Sequence, residues 1–541
     1  MRFWYGGRLM RVKRGEMMRR VQVLKPGRSV FDLSYAKKMS GRIGYLYPMM
    51  CDEVVPGDVF EIGVDAVVRF APMVAPVLHE INLKADWFFV PYRLLGLQAD
   101  GIDKDGRSIW EKFITGGQDG NDPANRVNLG LINLNVESIP EGSLGDHLGF
   151  PTGVQTATAN GNDLPLAFPY QAYYFIWNEY YRDPNLEDVF NYKSTFNPNW
   201  PLKYSNWDAD YFTRALPFQQ RGTPPALPVS GMTSAVWEDA DFYQGTFASQ
   251  VGPTFDNNNV DARMGVNGAT GKNNAKNWLN SNSVDLSSAT TFNVSDLRLA
   301  VQIQKWMERN SRSGARYTEF LRSHFGVAPR DDRLDRPEYI GGIRQPIQVS
   351  EVLQTSQNGT TPQGNLAGHG IMAGSHYVGK YHVQEYGLIM CLMSIQPRPA
   401  YQQGINRQWL RKTKYDFYHP EFANLSEQGI YNEEIYLQAS EAANQTIWGY
   451  QGRYDEMRVK HDQVAGAFRS SLDYWHLGRK FGSLPALNSS FGHVDPATVT
   501  RIFAVPSADH LYVHWGNRIK AIRPLPYQSN PGLMDHDFGG Y

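Results

Sequence analysis

The chain has 541 residues, with 53 Lys and Arg against 54 Asp and Glu. Its formal net charge of −1 excludes a polyelectrolyte that binds nucleic acid with its whole surface. The 30 Tyr, 27 Phe and 13 Trp, together with 50 Gly and 32 Pro, favour β structure with long loops over a helical protein. No apolar run approaches the roughly 20 residues that cross a bilayer, and the amino terminus lacks a signal-peptide apolar region. We therefore expect a soluble protein made in a reducing cytoplasm.

Residues 1–44 form a basic arm in which Glu16 and Asp32 are the two acids. Aromatic residues are interleaved with the basic ones. Because basic charge neutralises phosphates and aromatic faces stack on unpaired bases, the arm predicts contact with nucleic acid without base specificity. The alternatives are a solvated tail, or a natural start at Met17 or Met18. The predicted contact residues in the arm are Arg8, Arg11, Lys13, Arg14, Arg19, Arg20, Lys25 and Arg28.

Two strands are predicted after the arm. Apolar and polar residues alternate over residues 60–70, which predicts a strand with one face in a core. Residues 83–90 predict a second strand, which Pro91 ends because proline has no N–H to donate. The joining segment contains Pro72 and Pro76, so we expect a crossing loop rather than a tight hairpin.

The two cysteines, Cys51 and Cys391, lie in apolar, strand-like segments. We interpret both as small buried side chains rather than as a disulfide, and Leu388 to Ile395 as a buried strand. No Cys/His spacing suggests a metal site, and no cofactor is predicted.

Residues 164–185 predict a helix that ends before Pro184. Such an aromatic helix is more typical of a core than of a cofactor site. The residues at helical spacing are Ala172, Phe175, Ile176 and Glu179.

Between residues 222 and 294 Asn, Gly, Ser and Thr dominate and the apolar pattern fades. Such a composition buries little core, so we predict an insertion on the protein surface. A helix follows, with Ser295 as its predicted N-cap.

The next section, residues 311–342, is dense in charge. Glu319, His324, Asp331 and Asp332 could serve as acid and base groups of an enzyme. The alternating signs favour paired ions at the surface or at an interface instead.

Further strands are predicted at residues 349–353, 376–381, 388–395, 502–505 and 512–515. Between them, the segment from Gln396 to Gln428 mixes basic and aromatic residues. It is interpreted either as a nucleic-acid site on an inner surface, with contacts from Arg407, Arg411 and Lys412, or as a set of subunit contacts.

Several long motifs resemble the major capsid proteins of the Microviridae, the gokushovirus type above all. These small icosahedral phages carry single-stranded DNA. The motifs are DEVVPGDVF, ADWFFVPYRLL, IWNEYYRDPN, YFTRALPFQQRG, LRLAVQIQKWMERNSRSGARYTEFLRSHFGV, DDRLDRPEYIGG and GGIRQPIQVSEVLQTS. They occur in family order and lie within residues 45–221 and 295–481.

The resemblance implies a mainly β protein: an eight-stranded antiparallel jelly roll, the viral capsid β-sandwich, with large loops and several helices. The implied parts are the arm at 1–44, the jelly roll at 45–221 and 295–541, and the insertion at 222–294 between its two parts. In the family that insertion lies near the three-fold axes and is suspected of touching the host.

The implied function is that of a structural protein rather than an enzyme. Sixty copies would form a closed T=1 shell around circular single-stranded DNA. The shell would be assembled in the cytoplasm of the host bacterium and become part of the virion. Expected partners are other copies of the chain, the genome, a host receptor, and minor capsid or pilot, scaffolding and small DNA-binding virion proteins.

Two rival classes stay open from the residues alone. An all-β glycoside hydrolase would need two carboxylates about 5 to 9.5 Å apart, and the sequence singles out no such pair. A carbohydrate-binding protein, secreted or cytosolic, would leave the basic arm unexplained.

Overall fold

The structure is a computed structural model. It describes residues 27–97, 108–115, 129–132, 139–153, 165–193, 199–225, 294–356 and 363–528, and the backbone of residues 2–5 and 8–11. The protein is mainly β. The strands are β1 Arg2–Tyr5, β2 Arg8–Arg11, β3 Ser29–Asp32, β4 Tyr35–Gly41, β5 Tyr47–Val54, β6 Val59–Phe70, β7 Ile81–Pro91, β8 Glu338–Pro346, β9 Gln348–Leu353, β10 Leu366–His382, β11 Gly387–Pro397, β12 Ala400–Tyr401, β13 Glu427–Tyr431, β14 Ile447–Gly452, β15 Asp462–Gln463 and β16 Leu511–Arg523.

Helices lie mostly in the connections between strands. The α-helices are α1 Ile109–Thr115, α2 Leu144–His147, α3 Phe168–Ile176, α4 Val294–Ser313, α5 Tyr317–Phe325, α6 Asn432–Ile435, α7 Glu441–Asn444, α8 Asp455–Arg458, α9 Ser489–Gly492 and α10 Pro496–Val499. A π-helical turn, Trp177–Tyr181, continues α3. The 3₁₀ turns are Tyr92–Leu94, Asp331–Leu334, Arg407–Trp409, Lys414–Asp416, Pro420–Phe422, Gly466–Arg469, Asp473–Trp475 and Thr500–Ile502.

The chain divides into two units. The larger comprises residues 1–219 and 314–541, and the smaller comprises residues 220–313. The predicted insertion falls within the range of the smaller unit, but residues 226–293 lie outside the described residues.

Two large antiparallel sheets form the centre of the larger unit. One has the strand order β3–β16–β6–β10–β9, with β4 also paired to β16. The other has the order β5–β11–β7–β8. Side chains from both sheets fill a shared core, in which Trp87 of β7 stacks on Trp515 of β16 with ring centroids 6.1 Å apart. The two sheets therefore form a β-sandwich.

The prediction of a strand at residues 60–70 is confirmed. The even-numbered residues of β6 from Phe60 to Phe70 are buried in the sandwich core, whereas Asp65 and Arg69 are exposed. β6 and β7 lie in different sheets, so the segment with Pro72 and Pro76 is a crossing loop, as expected.

The second sheet is covered on both faces. Trp87 and Phe89 of β7 face the sandwich core, whereas Phe88 and Val90 pack in a second core with α3. All residues of β11 are buried, and Cys391 lies in the sandwich core. This confirms the predicted buried strand. A strand that is covered on both faces has a continuous apolar sequence rather than an alternating one.

The predicted aromatic helix is confirmed as a core element. Ala172, Phe175 and Ile176 are buried. The Tyr173 hydroxyl donates a 2.9 Å hydrogen bond to the Leu46 carbonyl, so the helix is tied to the sandwich by a satisfied polar group as well as by packing.

The second half of the predicted arm differs from a free arm. Its residues form β3 and β4, which pair along β16. Lys37 of β4 is turned inward and donates hydrogen bonds to the carbonyls of Pro48 and His147. Burial lowers the pKa of Lys37 to about 8.

Other differences are local. The predicted strand at 502–505 is wrong, because residues 500–502 form a 3₁₀ turn and Phe503 makes only a single bridge with Met73. The short helix α10, capped by Asp495, leads directly into that turn. Ser295 lies inside α4 rather than at its N-cap, since the helix begins at Val294.

The charged section forms ion pairs, as predicted. Arg336 Nε lies 3.2 Å from Glu179 Oε2, and its Nη1 lies 3.7 Å from Asp331 Oδ1. Arg330 and Asp332 are 2.6 Å apart. The carboxylates proposed as acid and base groups are thus held by arginines.

Candidate assembly and nucleic-acid surfaces

An aromatic segment, residues 405–425, projects large apolar side chains into solvent. It consists of three successive 3₁₀ turns and their links. Trp409 is 75% exposed, and Tyr415, Phe417, Tyr418 and Leu425 are each more than half exposed. Aromatic side chains in such a group are typical of a surface that another protein covers.

Buried ion pairs hold the aromatic segment in place. Arg407 donates 2.6 Å hydrogen bonds to Glu434 Oε1 and to the Gly429 carbonyl. Arg411 pairs with Glu456 at 3.2 Å, with side chains only 8% and 5% exposed. Burial raises the pKa of Glu434, and the Arg407 guanidinium opposes that shift. The aromatic segment is therefore held in a defined conformation by the buried ion pairs beneath it.

The carboxylate of Asp416 organises the middle turn. It accepts hydrogen bonds from the amides of Lys412 and Thr413 at 3.0 and 2.7 Å. Burial opposes ionisation, but these hydrogen bonds together lower the pKa of Asp416.

The predicted nucleic-acid residues of this segment differ in availability. Arg407 and Arg411 are engaged by buried carboxylates, which favours a structural role for both. Lys412 is exposed and donates a hydrogen bond to Gln445 Oε1. DNA contact by these three residues stays a prediction.

The arm residues are placed only in part. The backbones of Arg8 and Arg11 lie in β2, which pairs with β1 in an antiparallel hairpin. Arg28 is exposed next to the start of β3. The other predicted contacts lie outside the described residues: Lys13, Arg14, Arg19, Arg20 and Lys25.

The sequence prediction missed a group of residues on the outward face of the first sheet. Lys38, Arg69, Tyr512 and His514 are exposed and line one shallow depression. The signal was present in β16, where exposed residues such as Tyr512 and His514 alternate with the buried Leu511 and Val513.

A cleft of about 950 Å³ lies elsewhere in the larger unit. Tyr45 and Tyr204 stack in it with ring centroids 5.1 Å apart. Of its carboxylates, Glu187 contacts His493, and Asp509 lies 3.4 Å from Arg42. Each of these two acids therefore lies beside a basic side chain.

The smaller unit is tied together at its base. Gln304 of α4 donates a 2.6 Å hydrogen bond to Gln220, and the Arg221 amide donates to the Ser311 hydroxyl at 3.0 Å. The unit's entry and exit segments therefore lie side by side, as in a domain inserted into a loop.

Within the described part of the chain, no group of His, Cys, Asp and Glu side chains could hold a metal ion. The helices described there include none that is long and apolar enough to span a membrane.

The fold defines a class, that of mainly β proteins built on an antiparallel β-sandwich. The comparisons identify the family within that class. Residues 20–533 match the model of the phage capsid protein family, the F protein. The chain belongs to this family of Microviridae capsid proteins, which confirms the resemblance seen in the sequence.

Relatives agree over nearly the whole chain. The chain is 32% identical to capsid protein VP1 of Chlamydia phage 1 over 94% of this chain and 96% of the relative. It is 33% identical to VP1 of Bdellovibrio phage phiMH2K over 86% and 87%, and 31% identical to VP1 of Spiroplasma virus 4 over 91% and 92%. The protein is thus a capsid protein, a structural component of a virion that assembles into a shell.

Proposed function

We propose that this chain forms a T=1 icosahedral shell of sixty copies around a circular single-stranded DNA genome. The observation that carries the proposal is the exposed aromatic segment on its buried ion-paired base. Apolar side chains this exposed are stabilised when a neighbouring copy covers them, and large aromatics supply most of the energy of such interfaces.

The sandwich supports a viral jelly roll. Its eight strands would be β4, β5, β6, β7, β8, β10, β11 and β16. In one sheet β4 pairs with β16, β16 with β6, and β6 with β10, so the first, eighth, third and sixth strands of this set are neighbours. In the other sheet β5 pairs with β11, β11 with β7, and β7 with β8, so the second, seventh, fourth and fifth strands are neighbours. This pairing order supports the double Greek-key connectivity of a jelly roll, in which β3 and β9 would extend the first sheet.

The genome contact is assigned to the arm. Residues 1–28 carry the basic charge that would offset phosphate repulsion during packaging in the host cytoplasm. Pilot, scaffolding and small DNA-binding virion proteins would complete the particle.

The insertion is assigned to host attachment. Hydrogen bonds join residues 220–221 to residues 304–311, and a long polar segment between such joined ends is typical of a functional surface loop.

Negative-stain microscopy with nuclease protection tests the shell. The unaltered chain should give closed particles whose nucleic acid survives nuclease. The variant Trp409→Ser/Tyr418→Ser should remain unassembled in sedimentation while keeping its melting temperature. Tyr377→Ser is the control, since Tyr377 is 68% exposed but lies in β10. Normal particles from the double variant would remove the aromatic segment from the assembly interface.

A further inference from the structure

Four exposed side chains converge at one end of the first sheet. In the strand register, Tyr512 lies opposite Arg69 of β6, and His514 lies opposite Lys38 of β4. Directly opposed residues have Cβ atoms about 4.5 to 5.5 Å apart, and Tyr512 and His514 share one face of β16. We call these four residues, Lys38, Arg69, Tyr512 and His514, the cationic corner.

The cationic corner differs from the rest of the same sheet face in its charge balance. Farther along β16, Arg518 pairs with Asp65 at 3.2 Å. Lys380 and Lys520 both approach Glu61, at 3.0 and 4.0 Å. Each of these three cations therefore has a carboxylate within 4.0 Å, with Lys380 and Lys520 sharing that of Glu61.

In the corner itself, neither Lys38 nor Arg69 has a carboxylate within 4.0 Å among the residues that the structure describes. The neighbouring acid, Asp509, accepts a hydrogen bond from the Ser40 hydroxyl at 2.7 Å and pairs with Arg42. The corner therefore presents uncompensated positive charge around Tyr512, which is 48% exposed.

We propose that the cationic corner binds single-stranded nucleic acid, with phosphates at Lys38 and Arg69 and a base stacked on Tyr512. The inference rests on the proposed packaging of a single-stranded genome. Cations beside an exposed aromatic ring match a strand that offers both a charged backbone and unpaired base faces. A duplex offers no free base face to the ring, and an acidic peptide would use the charge without the ring.

The path of the chain supports the same ligand. β3 pairs with the far end of β16, where Ser29 lies opposite Arg523. The basic arm therefore joins the sheet that carries the cationic corner, and one nucleic-acid strand could contact both.

Binding of a fluorescent thymidine oligonucleotide to the full chain, measured against salt concentration, tests the inference. Lys38→Gln/Arg69→Gln should lower the slope of log K against log salt by about 1.4, at about 0.7 per phosphate contact. Tyr512→Ala should weaken binding at least about fivefold, and Tyr512→Phe should bind like the unaltered chain.

The matched control is Lys380→Gln/Lys520→Gln, which removes the same charge from the same sheet face. Its slope should change less than that of the corner variant, because both ammonium groups share the Glu61 carboxylate. Photo-crosslinking with a bromodeoxyuridine oligonucleotide should place the adduct on the peptide that contains Tyr512.

The outcomes separate this inference from the proposed function. Equal slope changes in both double variants would mean that any positive charge on this sheet face contributes equally, which would overturn the proposed binding site at the cationic corner. Corner variants that bind DNA normally but no longer form particles would make the corner a contact between copies, which also overturns it. If the unaltered chain forms particles that protect DNA while the corner variants bind oligonucleotide as it does, the binding site at the cationic corner is refuted and the shell proposal is retained. If the unaltered chain forms no particles and binds no DNA, the shell proposal itself fails.

Discussion

At the scale of single residues, the ion pair between Arg407 and Glu434 allows a structural role of Arg407 to be distinguished from a DNA-binding role. Glu434 has a side chain only 1% exposed, so Arg407→Ala would leave a buried carboxylate unpaired. We expect this variant to lose about 3 to 5 kcal/mol of unfolding free energy, measured by urea denaturation of unassembled subunits. Lys412→Ala, at an exposed neighbour, should stay within about 0.5 kcal/mol of the unaltered chain. A stable Arg407→Ala variant with weakened DNA binding would contradict the structural role.

We expect His510 to make the stability of the protein sensitive to acid. Its Nε2 accepts a 2.8 Å hydrogen bond from the Ile43 amide, so protonation would break that bond. Burial lowers the pKa of His510 from 6.5 to about 4. A lowered folded-state pKa gives stability that is complete above the unfolded value and is lost as the pH falls towards 4.

His510→Gln should therefore reduce the acid sensitivity of the melting temperature. Between about pH 7.5 and about pH 5, the titration of one such histidine costs on the order of 2 kcal/mol. The drop in melting temperature over this range should be smaller in His510→Gln than in the unaltered chain. An equal drop in both would show that His510 does not contribute to acid destabilisation.

At the scale of elements, β3 and β4 fix where the arm can be cut. A truncation that removes residues 1–26 leaves both strands in place, so the subunit should fold with an unchanged circular dichroism spectrum and bind oligonucleotide more weakly. A truncation that removes residues 1–42 deletes β3 and β4 and leaves one edge of β16 unpaired, so it should aggregate. A soluble, folded product of the longer truncation would show that the two strands are dispensable.

The sequence predicts elements best where the side-chain pattern is strong. Alternation in β6 and the continuous apolar run of β11 identified strands, because burial on one or both faces leaves a distinct pattern. The pairing of β4 with β16 was missed because Lys37 and Lys38 were interpreted as part of the basic arm. Lys37 in fact turns inward. Tyr512 and Arg69 are far apart in the chain, so a surface that they form together follows from strand register and not from any local motif.

At the scale of the whole molecule, the larger unit is a sandwich whose outer surfaces differ in chemical character. The aromatic segment is apolar, so it suits contacts between copies, whereas the cationic corner is charged and suits nucleic acid. Their separation follows from the strand order, because long connections between β11 and β16 carry the aromatic segment while the corner is built from the strands themselves. A shell protein needs such separate surfaces, since one face must bind its neighbours while another faces the genome.

The proposed host-attachment role of the smaller unit can be tested separately. Since Gln304 and Ser311 of α4 bind the entry residues Gln220 and Arg221, replacement of residues 226–293 by a short Gly/Ser linker should leave that base intact. We expect the resulting particles to have normal size and genome content in microscopy and nuclease assays, but to lose adsorption to host cells. The control is Gln304→Ala, which removes a hydrogen bond of the base and keeps the insertion, so its particles should still adsorb. Full adsorption of linker particles would move host recognition to another surface, whereas failure of the linker variant to assemble would mean that the insertion is part of the shell contacts.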